Sequence, residues 1–414
     1  MPPNVGSSSA SRNRALRGEE GRAKSMLFLA VTAIALAERA IGPLMPFIRR
    51  SIDLSDMQVA YAGGAVVLGS LLGVIPLSHL LHRVRAELAI AVNLLAVGVA
   101  CAIIALQTTL LGLAVGLLAL GVIRSGVVPT VNKAVAAWFP RSRRGGAMGF
   151  VHMGAPVGGV IAGLCLPLVA RSVGWGSSFY VLATVAILCA MVPTLAGWSS
   201  LRSGSAERAL IIQRDGGSWR RVMTIGLIYG LVCLGDFGGS LYLALYLVDR
   251  LRVDPVAAGV FFGIALAGSA GGRALWGKLL DGAFRQARHM VLSLIAFASG
   301  VSFILLILLS PESPQPWVVL VVFLFGASTL SSWGVLSTIL SDVVGEAATA
   351  TATASILCIA WGSGVIGQIL FGFILDRFRS YALGFGLFAA FALVAALMFS
   401  MYAGVRDNGH WGEP

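Results

Sequence analysis

The chain has 414 residues, of which 57% are hydrophobic and only 12% are charged, with a formal net charge of +12. Soluble globular domains carry about 25% charged residues, so the composition excludes a chain that covers its whole surface with polar side chains. A helix that spans a bilayer uses about 20 apolar residues, and the length therefore fits about twelve such helices and little else. The composition predicts an all-α membrane protein.

Apolar runs between polar breaks predict twelve transmembrane helices, six before and six after the longest polar interruption. In the first half they cover residues 26–48, 57–79, 88–106, 110–131, 146–170 and 176–198. In the second half they cover residues 223–248, 256–280, 290–310, 317–340, 352–375 and 382–403.

These helices divide the chain into five parts. Residues 1–24 are rich in Ser and Arg, and we expect a disordered cytoplasmic tail there. Residues 25–198 and 223–403 are predicted to form two pseudo-symmetric six-helix bundles, connected by the cytoplasmic loop 199–222, and residues 404–414 form a cytoplasmic C-terminal tail. An acidic residue about 13 positions into the first helix of each half indicates internal repetition, as in transporters that rock two bundles about a central site.

The positive residues are distributed unevenly between alternate loops. Placing both termini in the cytoplasm assigns 20 of the 30 Lys and Arg residues to the tails and the cytoplasmic loops, and 7 to the outer loops. Short cytoplasmic loops of membrane proteins carry an excess of Lys and Arg, so both termini are predicted to be cytoplasmic. The net positive charge then follows from topology and does not indicate nucleic-acid binding. The first apolar run lacks a small-residue cleavage site, and we expect it to remain in the mature protein.

Three motifs follow one another in residues 129–159: Trp-Phe-Pro, Arg-Arg-Gly-x-Ala-Met-Gly and Gly-x-Pro-x-Gly-Gly. This segment resembles the major facilitator transporters, most of all their cyanate-permease-like, small-anion branch. Residues 272–281 are similar to the loop signature that this superfamily has after helices two and eight. The resemblance implies a major facilitator fold, alternating access by two bundles, and a gating loop that includes Gly277, Asp281 and Arg285.

The loop after helix two departs from the family pattern. The family has Gly-x-x-x-Asp-Arg there, whereas this chain runs from Ile75 to Leu80 without Gly, Asp or Arg. The N-terminal half therefore lacks the charge pair that the family has in this loop. Gating depends on Asp281 and its basic neighbours, or this loop is weakened.

Five ionisable residues lie well inside predicted spans, where a charge costs about 2.5–3.5 kcal/mol and is expected to face a cavity or a partner. They are Glu38, Arg39, Arg124, Asp236 and Arg273. Three arginines against two acids leave one positive charge, and a guanidinium group binds carboxylates and other oxyanions through its planar fork. We therefore predict that the three arginines bind a small organic or inorganic anion.

The two acids and two of the arginines carry further predictions. A carboxyl group in a low-dielectric cavity can take up and release a proton, which makes Glu38 and Asp236 candidate proton carriers. Glu38 and Arg39 are adjacent and lie about 100° apart on a helix, so we expect their side chains to point in different directions. The resemblance adds that Arg273 precedes a glycine by four residues, as does a carboxylate-binding arginine of monocarboxylate and oxalate carriers; the alternative is that Arg273 snorkels to the cytoplasmic edge beside Trp276. The monocarboxylate carriers have an acid where this chain has Ser269.

Other polar and aromatic residues in the spans are candidates for the substrate pocket. His152 in helix five is a lone histidine on a glycine-rich helix, and local hydrogen bonding is the alternative for it. For the remaining candidates, packing or a place in the interface belt is the alternative: Asn132, Tyr229, Tyr242, Trp333, Trp361 and Gln368.

Glycines spaced four residues apart predict close helix crossings. The pairs are Gly69 and Gly73, Gly112 and Gly116, Gly159 and Gly163, Gly226 and Gly230, and Gly259 and Gly263. The five cysteines lie in apolar stretches without paired or metal-ligand spacing, so we expect small buried side chains and neither disulfides nor metal sites.

The sequence thus predicts a secondary active transporter that moves a small anion by alternating access, coupled to protons. One alternative is a drug/proton antiporter, because residues 154–159 also resemble the helix-five signature of that group; a wide aromatic cavity with lone acids would favour it. A second alternative is a non-transporting membrane scaffold or sensor, whose charges would face no cavity. The chain has no GxxxxGK[ST] phosphate loop and no catalytic cluster, so we expect neither an enzyme nor a cofactor.

The expected partners are a small anion, protons and the lipid bilayer. Only three of the 30 basic residues are lysine, and this bias, with abundant Ala and Gly, is typical of a bacterium with a GC-rich genome. We therefore expect a protein of a bacterial inner membrane. We also expect it to be a monomer.

Overall fold

A computed structural model describes residues 6–82, 84–139, 141–195, 216–282, 284 and 287–404. All regular secondary structure in this part of the chain is helical. Twelve segments of it are long and apolar enough to cross a membrane, which confirms the predicted all-α fold class and the number of spans.

Nine helices form the six spans of the N-terminal half within the described residues. They are α1 (Gly6–Arg39), α2 (Ile41–Ser51), α3 (Asp56–His82), α4 (Ala86–Ala105), α5 (Leu110–Ser125), α6 (Val127–Trp138), α7 (Arg141–His152), α8 (Gly154–Val173) and α9 (Trp175–Leu195). Spans 1, 4 and 5 each consist of two consecutive helices (α1 and α2, α5 and α6, α7 and α8), whereas α3, α4 and α9 are spans 2, 3 and 6.

Six helices form the C-terminal half within the described residues. They are α10 (Gly216–Asp249), α11 (Pro255–Asp281), α12 (Arg288–Ile307), α13 (Gln315–Thr329), α14 (Trp333–Phe378) and α15 (Tyr381–Gly404). Span 10 consists of α13 and the start of α14, and span 11 is the rest of α14. Because α14 continues without a break, residues 341–351 between the two predicted spans are helical and form no loop.

Two predicted boundaries are wrong. Helix α1 begins at Gly6, so most of the tail predicted as disordered is helical; Ala, Arg and Glu, which are good helix formers, are frequent there. Helix α10 begins at Gly216, so the last seven residues of the predicted central loop belong to the seventh helix. The rest of the predicted tails and loop, residues 1–5, 199–215 and 405–414, lies outside the described residues.

The two halves pack through α3 against α14, α8 against α11, and α2 against α10 and α11. Glycines allow the α8–α11 crossing to be close. A Cβ atom added at Gly163 would lie 2.6 Å from the carbonyl oxygen of Gly259 and 2.6 Å from the nitrogen of Gly263. The close approach predicted from this glycine spacing is therefore found at an interface between the halves.

Polar contacts join the two halves at one end of the bundle, which we call the closed face. Arg49 of α2 lies 2.6 Å from Asp249 of α10 and 3.3 Å from Asp56 of α3. Tyr381 donates a hydrogen bond to Asp249 at 2.8 Å, and Tyr242 donates one to the backbone carbonyl of Asp56 at 2.7 Å. The contacts of Arg49 with Asp249 and of Tyr242 with Asp56 cross between the halves and hold them together here.

The opposite end, where α1 begins and α15 ends, is called the termini face. Two ion pairs there each join residues of one half. Arg143 lies 2.8 Å from Glu20 in the N-terminal half, and Arg288 lies 2.7 Å from Asp342 in the C-terminal half. Each of these two pairs lies within one bundle and does not connect it to the other.

The loops that the family signature concerns differ between the halves. After span 2, Lys133 donates a hydrogen bond to the backbone carbonyl of Val84 at 2.7 Å, which anchors the loop that lacks the family's charge pair. After span 8, Gly277 lies in the last turns of α11 with no atom within 4 Å of an added Cβ, and α11 ends at Asp281. Arg285 lies outside the described residues.

The cysteines are free thiols. Cys101 and Cys233 are buried, and Cys189 and Cys358 are half-buried. Cys165 is exposed on the surface of the bundle, so its predicted burial is wrong; a side chain facing lipid meets the same apolar preference as one in the core. In the described part of the chain, no cluster of three or more His, Cys, Asp or Glu side chains could hold a metal ion.

Candidate functional site

Four helix breaks lie inside spans in the described part of the chain. They are at Ala40 in span 1, at Gly126 in span 4, at Met153 in span 5 and at residues 330–332 in span 10. Arg39 stands immediately before the first break, with Glu38 beside it, and Arg124 stands two residues before the second. Membrane proteins tolerate a broken helix only where the freed backbone is buried in protein or lines a cavity, so the breaks mark a candidate site.

Side chains of neighbouring spans donate hydrogen bonds to backbone carbonyl groups at two of the breaks. The side-chain amide of Asn93 on α4 donates to the carbonyl of Ile123 at 2.8 Å. Ser269 on α11 donates to the carbonyl of Leu330 at 2.6 Å. The serine that replaces the acid of monocarboxylate carriers thus supports the break in span 10.

Arg124 is held on several sides at the centre of the bundle. Its Nη1 lies 2.5 Å from Glu38 Oε2, and its Nε donates to Ser70 Oγ at 2.9 Å. Trp361 of the C-terminal half places its ring 5.9 Å from the guanidinium carbon. The side chain of Arg124 is only 10% exposed. Arg124 is therefore fixed in place, and its charge is matched by that of Glu38.

Arg39 and Glu38 converge on the same cavity, and the prediction that they point in different directions is wrong. Arg39 Nε lies 3.9 Å from Glu38 Oε1. Arg39 and Glu38 are both helical, and Ala40 also has helical backbone dihedral angles, so the two side chains start in different directions; they are long enough for their charged ends to approach each other. Their side chains are 31% and 26% exposed.

The C-terminal half contributes Arg273 of α11 and Asp236 of α10 to the cluster. Arg273 is within electrostatic range of Arg39, Glu38 and Asp236. The Arg273 Nε is buried and has no hydrogen-bond partner in the described part of the chain. Within the described residues, neither Arg273 nor Asp236 has an oppositely charged partner within 4.0 Å. The halves therefore contribute unequally: in the N-terminal half Glu38 lies within 4.0 Å of both arginines and balances the charge of one of them, whereas the two C-terminal charges have no such partner.

A cavity of about 60 Å³ borders the N-terminal-half charges of this cluster, whereas Arg273 and Asp236 are not among the residues that line it. Its N-terminal-half wall includes Glu38, Arg39 and Arg124, and its C-terminal-half wall includes Ser240 and Gln368. Liquid water takes about 30 Å³ per molecule, so the cavity holds a small group. A larger groove of about 350 Å³ between α4 and α5 has an almost wholly apolar wall with lipid-facing side chains and contains none of the candidate residues.

The other predicted pocket residues are engaged in local contacts. His152 Nε2 lies 3.2 Å from Asn132 Oδ1, which agrees with the local alternative, although Arg273 is within electrostatic range of the ring. Tyr229 is 3% exposed, and its hydroxyl lies 2.9 Å from the hydroxyl of Ser332 at the break in span 10. Substrate contact by these residues stays a prediction.

Sequence reasoning missed Ser70, Ser240 and the closed face. Ser70 and Ser240 are single hydroxyls in apolar runs, a pattern shared with many packing residues. Arg49 and Asp249 stand at the ends of their spans, where charged residues are expected as boundaries. Their separation by 200 positions leaves no local signal that they pair.

Comparisons with known proteins agree with this architecture. Residues 27–366 match the sequence model of the Major Facilitator Superfamily. The chain is 26% identical to a probable sulfoacetate transporter of Cupriavidus necator over 336 residues, which cover 72% of this chain and 74% of that protein. It is 23% identical to a probable nitrate transporter of Staphylococcus epidermidis over 283 residues, which cover 66% and 69% of the two chains.

A solved structure shares the whole fold. It is that of a bacterial homologue of the human lysosomal transporter Spinster, in an inward-facing and unoccupied conformation. The TM-score is 0.79 at 17% sequence identity, and the match covers 95% of this chain and 99% of that one.

Proposed function

Because the chain belongs to the Major Facilitator Superfamily, we propose that it moves a small anion across the membrane by alternating access, coupled to protons. The family and the named relatives make it a secondary transporter and not an enzyme. Sulfoacetate and nitrate, the substrates named for two relatives, are both oxyanions, which supports an anion for this chain.

The observation that carries the proposal is the uncompensated arginine charge at the centre of the bundle. Arg124 is matched by Glu38 at 2.5 Å, whereas Arg273 has a buried Nε without a partner. Arg39 faces the cavity from the other half. A bound oxyanion compensates such charges through charge-assisted hydrogen bonds, which a guanidinium forms in bidentate geometry. We therefore assign substrate binding to Arg39 and Arg273, and assign Arg124 to holding Glu38 and Trp361 in place.

The two alternatives have less support. A drug/proton antiporter is expected to have a wide aromatic cavity with lone acids, but this cavity is about 60 Å³ and has Arg39 and Arg124 in its wall. A scaffold would have charges that face no cavity, yet Glu38 and Arg39 line one.

For the proton we propose Asp236 as the carrier. Glu38 lies close to both Arg124 and Arg39, and a carboxylate in two ion pairs resists protonation. Asp236 has no such contact in the described part of the chain. We further propose that the protein acts as a monomer in a bacterial inner membrane with both termini in the cytoplasm, supported by the distribution of basic residues and by bacterial relatives.

Lysine substitution of the two binding arginines tests the function. Lysine keeps the positive charge but loses the planar fork. Hydrogen bonds to charged groups contribute about 1.5–3 kcal/mol, so Arg39→Lys and Arg273→Lys should each weaken sulfoacetate or nitrate binding about 10- to 100-fold. Binding is measured on the purified protein, and uptake is measured in proteoliposomes. Arg50→Lys, an exposed site at the end of the same span as Arg39, is the matched control and should behave like the wild type.

Unchanged affinity and uptake in both well-folded variants would assign the arginines a structural role and remove the anion proposal. Stabilisation of the protein by lipophilic cations, without any response to anions, would move the antiporter alternative ahead.

A further inference from the structure

Gln368 is a buried polar residue in the wall of the central cavity. It lies on α14 in the C-terminal half and is 5% exposed, while Arg39 lines the same cavity from the other half. Its Nε2 donates a hydrogen bond to the carbonyl of Phe237 at 3.3 Å. Its Oε1 is buried and has no hydrogen-bond partner among the residues that the structure describes. The mechanism proposed above gives this oxygen no role.

The carbonyl of Phe237 fixes the orientation of the Gln368 amide. A carbonyl oxygen only accepts hydrogen bonds, so the amide nitrogen must face it and Oε1 must face away. Ser240 donates its hydroxyl proton to the same carbonyl at 3.2 Å, which leaves its oxygen as a second acceptor in the cavity wall. Gly64 stands next to Oε1: a Cβ there would lie 3.7 Å away, and glycine offers no side-chain donor.

Buried acceptors without a partner are few in folded proteins, because each loses its hydrogen bond to water and gains none in return. At the wall of a binding cavity, such an oxygen is available to a ligand. Across the cavity, Arg124 is occupied by Glu38 and Ser70, and Arg39 makes no hydrogen bond to this oxygen.

The cavity consequently has two unlike walls. Guanidinium donors stand on the N-terminal-half side, and the acceptors of Gln368 and Ser240 stand on the C-terminal-half side. We propose that Gln368 selects the substrate: its Oε1 accepts a hydrogen bond from a hydroxyl group next to the anionic group of the transported molecule. The preferred class is then small hydroxy acids over the same acids without the hydroxyl. This inference rests on the proposed anion transport.

A site built to hydrogen-bond a substrate hydroxyl discriminates against the analogue that lacks it, because the polar group of the protein then stays unpaired. The test compares glycolate with acetate, and lactate with propionate, each pair differing by one hydroxyl. In proteoliposomes the wild type should transport the hydroxy acid with about tenfold higher kcat/KM, the value of one ordinary hydrogen bond.

Gln368→Leu removes the acceptor at similar volume and should lower kcat/KM for glycolate about tenfold, while acetate stays within about twofold. Gln368→Met, which keeps the unbranched shape, is the second acceptor-poor variant and should give the same pattern. Gln107→Leu is the matched control; its side chain bonds only to the carbonyl of Ile103 within its own turn, and the ratio of the two acids should not change.

Separate outcomes overturn the two proposals. Equal transport of both members of each pair by the wild type, or an equal loss for both in Gln368→Leu and Gln368→Met, overturns selection by Gln368 and leaves anion transport in place. Transport of none of the four acids, nor of nitrate or sulfoacetate, overturns the anion function and with it the role of Gln368.

Discussion

At the closed face Arg49 lies 2.6 Å from Asp249 and 3.3 Å from Asp56, whereas in the centre of the bundle Arg273 has no carboxylate within 4.0 Å in the described residues. Both regions contain arginines and acids from both halves. Only the closed face uses them to join one half to the other. The difference separates charges that hold a conformation from charges that are available to a ligand.

The surroundings explain why the two regions differ. The side chains of Arg49 and Asp249 are 29% and 33% exposed, so water screens the pair and its separation costs little. The centre of the bundle lies in a low-dielectric medium, where an unpaired charge is costly and is retained when it has a function. A weak ion pair between the halves and an unpaired charge at the centre both suit a protein whose two halves must separate during transport.

Neutralising Asp236, one of the two unpaired central charges, should have the largest effect on transport. Asp236→Asn should abolish proton-driven uptake, because no other unpaired carboxyl lies near Arg273 in the described residues. Exchange of substrate across the membrane at equal pH should continue. Both are measured in proteoliposomes, with and without an imposed proton gradient.

Glu38→Gln is the counterpart of that variant. It removes the partner of Arg124, so we expect lower thermal stability together with some remaining gradient-driven uptake. Gradient-driven uptake at the wild-type rate in Asp236→Asn would exclude this residue as the proton carrier.

Gly163→Ala tests the backbone contact between the halves. The added methyl group would lie 2.6 Å from backbone atoms of α11, which do not yield as a flexible side chain does. Overpacking costs about 1–3 kcal/mol, so the closed face should open about tenfold more often. The readout is the rate at which an impermeant thiol reagent outside the cell modifies Ser240→Cys in the cavity wall. Gly146→Ala, with no atom within 4 Å of its Cβ, should give the parent rate.

Arg49→Gln should have a smaller effect on the same readout. Solvent-screened ion pairs contribute about 0.2–1 kcal/mol, so modification of Ser240→Cys should rise by up to about fivefold. A change larger than that caused by Gly163→Ala would mean that the ion pairs, and not the helix crossing, hold the closed face.

The same labelling fixes the orientation. Arg252→Cys in the exposed loop of the closed face should react from outside, and Arg85→Cys in the loop after span 2 should not. The reverse pattern would place the termini outside the cell.

The sequence alone determined the twelve spans, because each depends only on a local run of about 20 apolar residues. It also identified the five buried charges, since a charge inside an apolar run is unusual wherever the chain folds. The predictions that were wrong also concern local structure. Residues 6–24 have the polarity of a disordered tail, but their helix-forming residues extend α1. The segment joining spans 10 and 11 is polar but rich in alanine, and so it is helical.

Only the tertiary structure decided which charges pair. Glu38 could be matched with Arg39, Arg124 or Arg273 from the sequence, and the packing of α1 against α5 places Arg124 at 2.5 Å. In the tertiary structure, the side-chain oxygen of Gln368 also has no hydrogen-bond partner among the described residues. No sequence pattern predicts this, because a hydrogen bond depends on atoms brought together from distant parts of the chain. Hydropathy is a property of neighbours in sequence, whereas pairing of polar groups is a property of neighbours in space.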